Sequence, residues 1–339
     1  MLFTKRDLIK MIIPLILETT LSMAIGMADT IMVASCGEAA VSGVSLVDSL
    51  NAMLVQIFIG LSAGGAIITT QYVGRRDYQN GCESANQLLI SITAASTIVT
   101  IFALPFRRTL LGALYGTIEP EVMESALVYF TLTALSYPFI ALQSSGAALF
   151  RSMGNTKISL YVSTLMNLLN VGGNALFIFV FDMGVEGAAI ATVLSQAVSA
   201  IWILRFLTGK KTILKLKAAN MKLIPSVILP CLGLGISSFI MVSTESILSI
   251  SFTTSLSKFG GDVAVGAMTV LTSINQLITM PLSGICQGGQ PLISYNYGAK
   301  KYDRVKEAFF CQFGVCVTYT TLFWLMLMIF PNVFAGIFT

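Results

Sequence analysis

Nine apolar segments, each of about 20 residues or more, dominate this 339-residue chain. A helix of about 20 residues is what crosses the hydrocarbon core of a bilayer. Only 11% of the residues are charged, against about 25% in an average soluble domain. The pattern predicts an all-α polytopic membrane protein with spans near residues 11–34, 44–73, 86–106, 122–150, 158–181, 185–207, 224–256, 263–297 and 306–335.

The distribution of basic residues predicts the orientation of these spans. With the N-terminus in the cytoplasm, 17 of the 20 Lys and Arg residues fall on the inner side, and only Arg107, Arg108 and Lys258 lie outside. Positive charge concentrates on the cytoplasmic side of membrane proteins. We therefore expect a cytoplasmic N-terminus and a Lys-rich cytoplasmic linker at 208–222, with no nucleic-acid partner.

The chain contains an internal repeat. Residues 37–78 align without a gap to residues 261–302, and ten of the 42 positions are identical, five of them glycines. Six spans separate the copies, so both halves enter the membrane from the same side and form parallel lobes. We expect a six-helix N-terminal lobe at 1–207 and a C-terminal lobe at 223–339. The second lobe would hold three helices, so the repeat predicts a truncation of roughly three spans.

Several features argue against an enzyme or a metal site. The chain contains no histidine, and its six cysteines occur at scattered spacings without a CxxC pair. The stretch GLSAG at 60–64 fits the GxSxG elbow of hydrolases, but no histidine is present to complete the usual triad. Its glycines, with Gly284 and Gly288, are better explained as small residues that let helices approach closely.

Four carboxylates lie inside the predicted spans, where an ionisable group is a functional candidate by default. Asp29 lies deep in the first span and is interpreted as functional. Glu18, about three helical turns earlier, shares the same helix face, and a cavity-lining role and a solvated position suit it equally. Asp48, near the outer end of its span, is interpreted as interfacial. Glu245, two thirds along the seventh span, is interpreted as functional.

The fifth span carries a stripe of three amides. Asn167, Asn170 and Asn174 follow i, i+3, i+7 spacing, which places them on one helix face. Such a stripe either joins helices by hydrogen bonds or lines a hydrated cavity. The sequence leaves these two alternatives open.

Several stretches resemble the multidrug and toxic compound extrusion (MATE) family of transporters, particularly its MepA-like and DinF-like bacterial branches. They are IPLILETTLSMAIGMADTIMVA in the first span, FRSMGNTK after the fourth, NLLNVGGNALFIF and MGVEGAAIATVLSQ in the fifth and sixth, and QGGQPLISYNYGAKKYDRV after the eighth. The resemblance implies twelve helices in two lobes, nine of them present here, with a V-shaped cavity between the lobes. It implies a monomer in the bacterial plasma membrane that exports small organic cations or drugs in exchange for H+ or Na+, without another cofactor.

The resemblance also assigns individual residues. Asp29 matches the first-helix aspartate of the family's cation site, Asn170 its fifth-helix asparagine, and Thr192 its sixth-helix threonine. Asn174 stands where many members have a second aspartate, and this departure favours a proton site over a sodium site. Glu245 resembles the seventh-helix glutamate of sodium-coupled members. The remaining alternatives are a lipid-linked precursor flippase of the same superfamily and a non-transporting membrane fragment.

Overall fold

The computed structural model describes residues 5–116, 118–209, 212–216 and 224–331. Every regular element in these ranges is a helix, which confirms the all-α fold. Side chains at residues 5 and 6 and at a number of positions between 226 and 269 lie outside the description. The helices are α1 (Lys5–Ala34), α2 (Glu38–Gly74), α3 (Tyr78–Tyr115), α4 (Pro120–Ala134), α5 (Tyr137–Ser152), α6 (Thr156–Asn174), α7 (Gly184–Thr208), α8 (Pro225–Gly298) and α9 (Tyr302–Ile329).

Six of the described helices are long and apolar enough to cross a membrane. They are α1, α2, α3, α6 with the π-helical turn Ala175–Val180 that continues it, α7 and α9. Helices α4 and α5, bent by 51° relative to each other, form a seventh crossing when taken as one broken span. These lengths and compositions confirm a polytopic membrane protein.

The break between α4 and α5 has a local cause. Pro138, in the first turn of α5, has no backbone N–H to donate to the carbonyl of Ala134 four residues earlier. The hydroxyl of Thr100 on α3 takes the place of that donor, 3.0 Å from the Ala134 carbonyl oxygen, while it also lies 3.0 Å from the carbonyl of Ser96 in its own helix. The fourth predicted span is therefore two helices, joined at a bend that α3 supports.

Helix α8 covers both the seventh and the eighth predicted spans, 224–256 and 263–297. Its 74 residues would measure about 111 Å if they formed one straight helix at 1.5 Å per residue, more than three times the hydrocarbon thickness. The contacts with α2 exclude that course. Gly235 lies against Leu61, and Gly298 lies against Gln71, only ten residues or about 15 Å further along α2. The chain of α8 therefore turns back between Gly235 and Gly298, as two separate spans require.

Small residues allow α8 to pack against α1. A Cβ atom added to Gly284 would lie 3.2 Å from backbone atoms of Leu15 and Ile16. At Gly288 it would lie 3.1 Å from the Cα atom of Ile12. These contacts confirm the helix-packing interpretation of the two glycines in the second half. The hydroxyl of Ser62, in GLSAG, is buried and lies 3.3 Å from that of Ser145, which gives it a structural contact.

The ends of α2 and α8 meet in a repeat-related arrangement. A Cβ atom on Gly74 would overlap the carbonyl oxygen of Tyr295, and one on Gly298 would overlap the carbonyl oxygen of Gln71. In the ungapped register of the repeat, Gly298 is the equivalent of Gly74, and Tyr295 is the equivalent of Gln71. We call this contact the seam. It lies on the face that the sequence predicts to be cytoplasmic.

Candidate functional site

Asp29 lies half-buried near the end of α1, beside the end of α6. The side-chain amide of Asn174 donates a hydrogen bond to the Oδ1 atom of Asp29. Asn174 is 0% exposed, and its own side-chain oxygen is buried without a hydrogen-bond partner. The π-helical turn begins directly after Asn174, and such turns often occur at functional sites. Asp29 therefore accepts a hydrogen bond from a buried amide whose own oxygen has no partner among the described residues.

The other two residues of the expected cation site also meet. The Asn170 amide donates to the Thr192 hydroxyl over 3.1 Å, and that hydroxyl donates to the carbonyl of Ala188 over 3.0 Å. The close approach of α6 and α7 makes this contact possible. At Gly173 a Cβ atom would lie 2.8 Å from the Cβ atom of Ala191.

A cavity of about 280 Å³ joins these residues. It is enclosed by α1, α2, α4, α5, α6 and α7, so it lies within the N-terminal lobe. No described Lys or Arg is among its lining residues. Its polar lining consists of Asp29, Asp48, Asn51, Tyr129, Thr133, Ser136, Asn167, Asn170, Thr192, Ser195 and Gln196. A carboxylate-bearing cavity without basic residues favours positively charged occupants.

Asp48 is a site residue that the sequence interpretation missed. It lines the cavity together with Asp29, the two carboxylates interact electrostatically, and its side chain is also exposed, which suits the predicted interfacial position. Tyr129 and Asn51 form side-chain hydrogen bonds with Asp48. The available signal was the spacing of Asp48 and Asn51, which are three residues apart and share one face of α2. The cavity thus holds two carboxylates although Asn174 replaces one of the family's aspartates.

The hydrogen bonds of Asn51 show how the cavity wall is fixed. Its amide nitrogen donates to the hydroxyl of Thr133 over 3.4 Å, and its amide oxygen accepts from the hydroxyl of Tyr137 over 2.8 Å. Thr133 and Tyr137 flank the break between α4 and α5. The bend of the fourth crossing is therefore tied directly to the wall that carries Asp48.

Asn167 and Glu18, expected to line a cavity, lie at different depths. Asn167 lines the cavity and donates to the Ser22 hydroxyl over 3.1 Å. Glu18 is absent from the described lining and lies nearer the predicted cytoplasmic side. Its Oε1 atom accepts from the hydroxyl of Ser159 over 3.2 Å, while its Oε2 atom is buried and has no hydrogen-bond partner among the described residues. The amide stripe of α6 therefore does both things, joining helices and lining a cavity.

Arg151, just after the predicted span at 122–150, is a buried basic residue. It lies in the last turn of α5 and is only 9% exposed. The negative end of the helix dipole and the charge of Glu18 both favour a cation at this position. Glu245 lies within α8, and its side chain is outside the described residues, so its role stays a prediction.

Sequence comparison decides the family. The MatE family model matches residues 14–176 and 236–339. The chain belongs to the MatE family. The multidrug export protein MepA of Staphylococcus saprophyticus is 23% identical over 295 residues, which cover 85% of this MatE chain and 64% of MepA. An uncharacterised transporter of Bacillus subtilis, YisQ, is 24% identical over 340 residues, which cover 96% of this chain and 72% of YisQ.

Solved structures show the same fold. A MATE protein in a bent conformation superposes on this MatE chain with a TM-score of 0.92 at 22% identity, covering 98% of this chain and 74% of that one. A MOP superfamily transporter from Pyrococcus furiosus gives 0.91 at 22% identity, with coverage of 99% and 74%. The chain thus spans about two thirds to three quarters of the proteins that it resembles.

Proposed function

We propose that this protein exports small organic cations or drugs by alternating access, in exchange for H+, with Asp29 as the coupling carboxylate. The observation that carries the proposal is the contact of Asp29 with Asn174 inside a cavity that holds two carboxylates and no described basic residue. We place the protein in the bacterial plasma membrane as a monomer with its N-terminus in the cytoplasm. The name of the MepA relatives, multidrug export protein, supports the substrate class.

The coupling step follows from the two charge states of Asp29. As a carboxylate it accepts from the Asn174 amide and attracts a cation; once protonated it is neutral and can donate its new O–H. The buried Asn174 oxygen is an unused acceptor beside it. Proton affinity of a carboxyl depends on hydration and on neighbouring charge, so exposure of Asp29 to opposite sides of the membrane changes its protonation. A proton and an organic cation then compete for one charge.

The size of the cavity indicates that the organic cation needs a wider conformation. A volume of about 280 Å³ lies just below the roughly 300–1,000 Å³ typical of drug-sized ligand sites. Asp48 and Asn51 line the wall that is hydrogen-bonded to both sides of the bend between α4 and α5. Movement at that bend would widen the cavity next to the carboxylates. This arrangement supports a rocking mechanism in which loading and protonation occur in different conformations.

Sodium coupling and lipid flipping are the alternatives to be separated. Asn174 in place of an aspartate leaves fewer anionic oxygen ligands for Na+ and favours H+. A flippase of lipid-linked precursors carries an anionic pyrophosphate through its cavity and therefore needs cationic lining. The carboxylates at 29 and 48 oppose that role.

The test is ethidium transport by the full chain in liposomes under separate pH and sodium gradients. We expect a pH gradient to drive transport and a sodium gradient alone to leave it near background. Asp29→Asn should abolish the pH-driven component while the protein stays folded. Asp182→Asn is the matched control, because Asp182 is exposed in a loop and its left-handed backbone suits asparagine.

Three results would refute parts of this proposal. Unchanged pH-driven transport by the Asp29→Asn variant would exclude Asp29 as the coupling group. Transport driven by sodium alone in the unaltered chain would replace H+ with Na+. A lipid-linked anionic substrate moved in preference to ethidium would favour the flippase.

A further inference from the structure

A second pocket lies at the seam and draws its lining from both halves of the chain. Its volume is about 510 Å³, which lies within the usual range for ligand sites. Gly74, Arg75 and Arg76 line it from the end of α2, and Gly298, Lys300 and Lys301 line it from the end of α8. It is separate from the cavity that holds Asp29 and shares no lining residue with it.

The two turns that form this pocket have the same backbone geometry. The N–H of Arg76 donates to the Val73 carbonyl over 3.0 Å, and its repeat equivalent Lys300 donates to the Tyr297 carbonyl over 3.0 Å. The following residues, Asp77 and Lys301, each donate to a carbonyl five residues earlier over 3.0 Å. Both helices therefore end in the hydrogen-bond pattern of the Schellman motif.

The position that glycine normally occupies in this motif holds a cation in both turns. Arg76 has φ of 63° and Lys300 has φ of 57°, which is left-handed backbone that costs free energy for a residue with a Cβ atom. Glycine would relieve that cost. Strained backbone that persists in a folded protein is a reason to look for a function there. Arg76 and Lys300 occupy equivalent positions of the repeat and both carry this cost. Their two basic side chains line the same pocket.

The charges of the pocket are unbalanced. Arg75, Arg76, Lys300 and Lys301 contribute four positive charges, and no described carboxylate is among the lining residues. Asp77, next to Arg76 in the chain, accepts hydrogen bonds from the backbone N–H and the side-chain amide of Asn80. A concave surface lined by one sign of charge concentrates ions of the opposite sign. The pocket therefore favours an anion.

We propose that this pocket binds the phosphate of an anionic phospholipid headgroup and that binding favours the conformation in which the seam is closed. The pocket lies at the ends of membrane-spanning helices, on the face that the basic residues predict to be cytoplasmic, where anionic lipids meet basic pockets. Because the ends of α2 and α8 each supply two of the four cations, separating the helices at Gly74 and Gly298 would divide the cations. The proposal rests on that orientation and is independent of the substrate and coupling ion.

The test measures lipid-dependent stability of the full chain in detergent, with phosphatidylglycerol, phosphatidylcholine or inorganic phosphate added. We expect phosphatidylglycerol to raise the melting temperature at concentrations where phosphatidylcholine has no effect. The double variant Arg76→Gly/Lys300→Gly should bind phosphatidylglycerol about 25-fold more weakly, at about five-fold for each cation removed. Without lipid it should be at least as stable as the unaltered chain, because glycine suits both turns.

The matched control is Lys157→Gln/Arg205→Gln. It also removes two exposed cations from the same predicted face, at the start of α6 and the end of α7, away from the pocket. Retained lipid stabilisation in this control, with loss in the glycine variant, would support the site. Equal loss in both variants, or no loss in either, would overturn it.

Inorganic phosphate and a second variant separate the remaining outcomes. Stabilisation by phosphate at the same concentration as phosphatidylglycerol would show that the site takes free phosphate, which overturns the lipid assignment. Lys301 precedes α9 and has a negative φ, so its backbone is not strained. The variant Lys301→Gln therefore keeps the proposal testable if the double variant does not fold. It should weaken lipid binding about five-fold, and Lys301→Arg should restore it.

Discussion

Asn174 donates its side-chain amide to the carboxylate of Asp29 and keeps its own buried oxygen without a donor. An acceptor oxygen buried without a partner costs free energy, which a proton donor or a cation arriving at the site would recover. The two side chains are 145 residues apart in the sequence. Their contact is the structural basis for predicting how the coupling ion is selected.

Replacing Asn174 with aspartate should change the coupling ion. Asn174→Asp supplies a second carboxylate directly beside Asp29, and hard cations prefer anionic oxygen ligands. We expect a sodium gradient to begin to drive ethidium transport in liposomes. Asn167→Asp is the control, since it adds a carboxylate on the same helix face but opposite Ser22. Sodium-driven transport in both variants, or in neither, would contradict the prediction.

Removing the Asp48 charge should weaken binding of organic cations. Asp48→Asn keeps the size of the side chain and its place in the cavity but removes one of two negative charges. We expect the affinity for ethidium, measured by fluorescence in detergent, to fall about 10-fold, or about 1.4 kcal/mol. Glu38→Gln, at the exposed start of α2, should leave it unchanged. Equal affinity in all three proteins would exclude Asp48 from the site.

The bend between α4 and α5 should depend on Thr100. Thr100→Val preserves the shape of the side chain but removes its hydroxyl. The Ala134 carbonyl then lacks a hydrogen-bond donor, because Pro138 has no backbone N–H. We expect a loss of about 1–3 kcal/mol in the free energy of unfolding, measured by denaturant titration in detergent. Thr97→Val should cost little, because that exposed hydroxyl donates only within α3. Similar losses for the two variants would show that the contact across to α4 contributes nothing.

The seam should open when a side chain is added to it. In Gly298→Ala the new Cβ atom would meet the Gln71 carbonyl, so the ends of α2 and α8 should separate. A cysteine at Ser294, which is buried beside α2, reports this change when the six native cysteines are first removed. We expect faster labelling by a membrane-impermeant maleimide. Gly314→Ala on α9, where a Cβ atom meets nothing within 4 Å, should leave the rate unchanged.

Glu18 and Arg151 should depend on each other. Glu18→Gln removes the negative charge that favours the buried Arg151 guanidinium, and we expect a loss of about 0.5–3 kcal/mol in the free energy of unfolding, the range for sites that are coupled. Adding Arg151→Gln should recover a large part of that loss. A double-mutant cycle of unfolding free energies measures the coupling, and additive losses would show that the two groups act independently.

Part of the site was predictable, because helical spacing placed Asn167, Asn170 and Asn174 on one face and the family resemblance assigned the residues of the cation site. Asp29, Asn170, Asn174 and Thr192 were assigned by resemblance; Asp29, Asn170 and Thr192 line one cavity, and Asn174 contacts Asp29 at its edge. Asp48 was missed because the sequence locates it only by its distance from the end of an apolar segment. Its contact with Tyr129 joins two different helices, and spacing within one helix does not reveal it. The two-lobe division at 208–222 and the role of Glu245 stay predictions.

The fold departed from the sequence pattern where hydropathy gives no information on breaks. One apolar segment is divided at Pro138, because a proline removes a donor without making the segment less apolar. In α8 two predicted spans fall in one helical element, and the contacts of Gly235 with Leu61 and of Gly298 with Gln71 show that the chain reverses direction between them. Hydropathy counts apolar residues, and backbone hydrogen bonding decides where a helix ends.

The seam has a consequence for how substitutions act. Gly74 contacts Tyr295 while Gly298 contacts Gln71, so each half contributes the same two positions to the contact. Such a surface is isologous, the kind of interface that normally relates two identical subunits about a two-fold axis. This chain carries the equivalent of a dimer interface inside a single polypeptide. A mutation here alters only one of two equivalent contacts, and its counterpart in the other half of the chain is free to change independently.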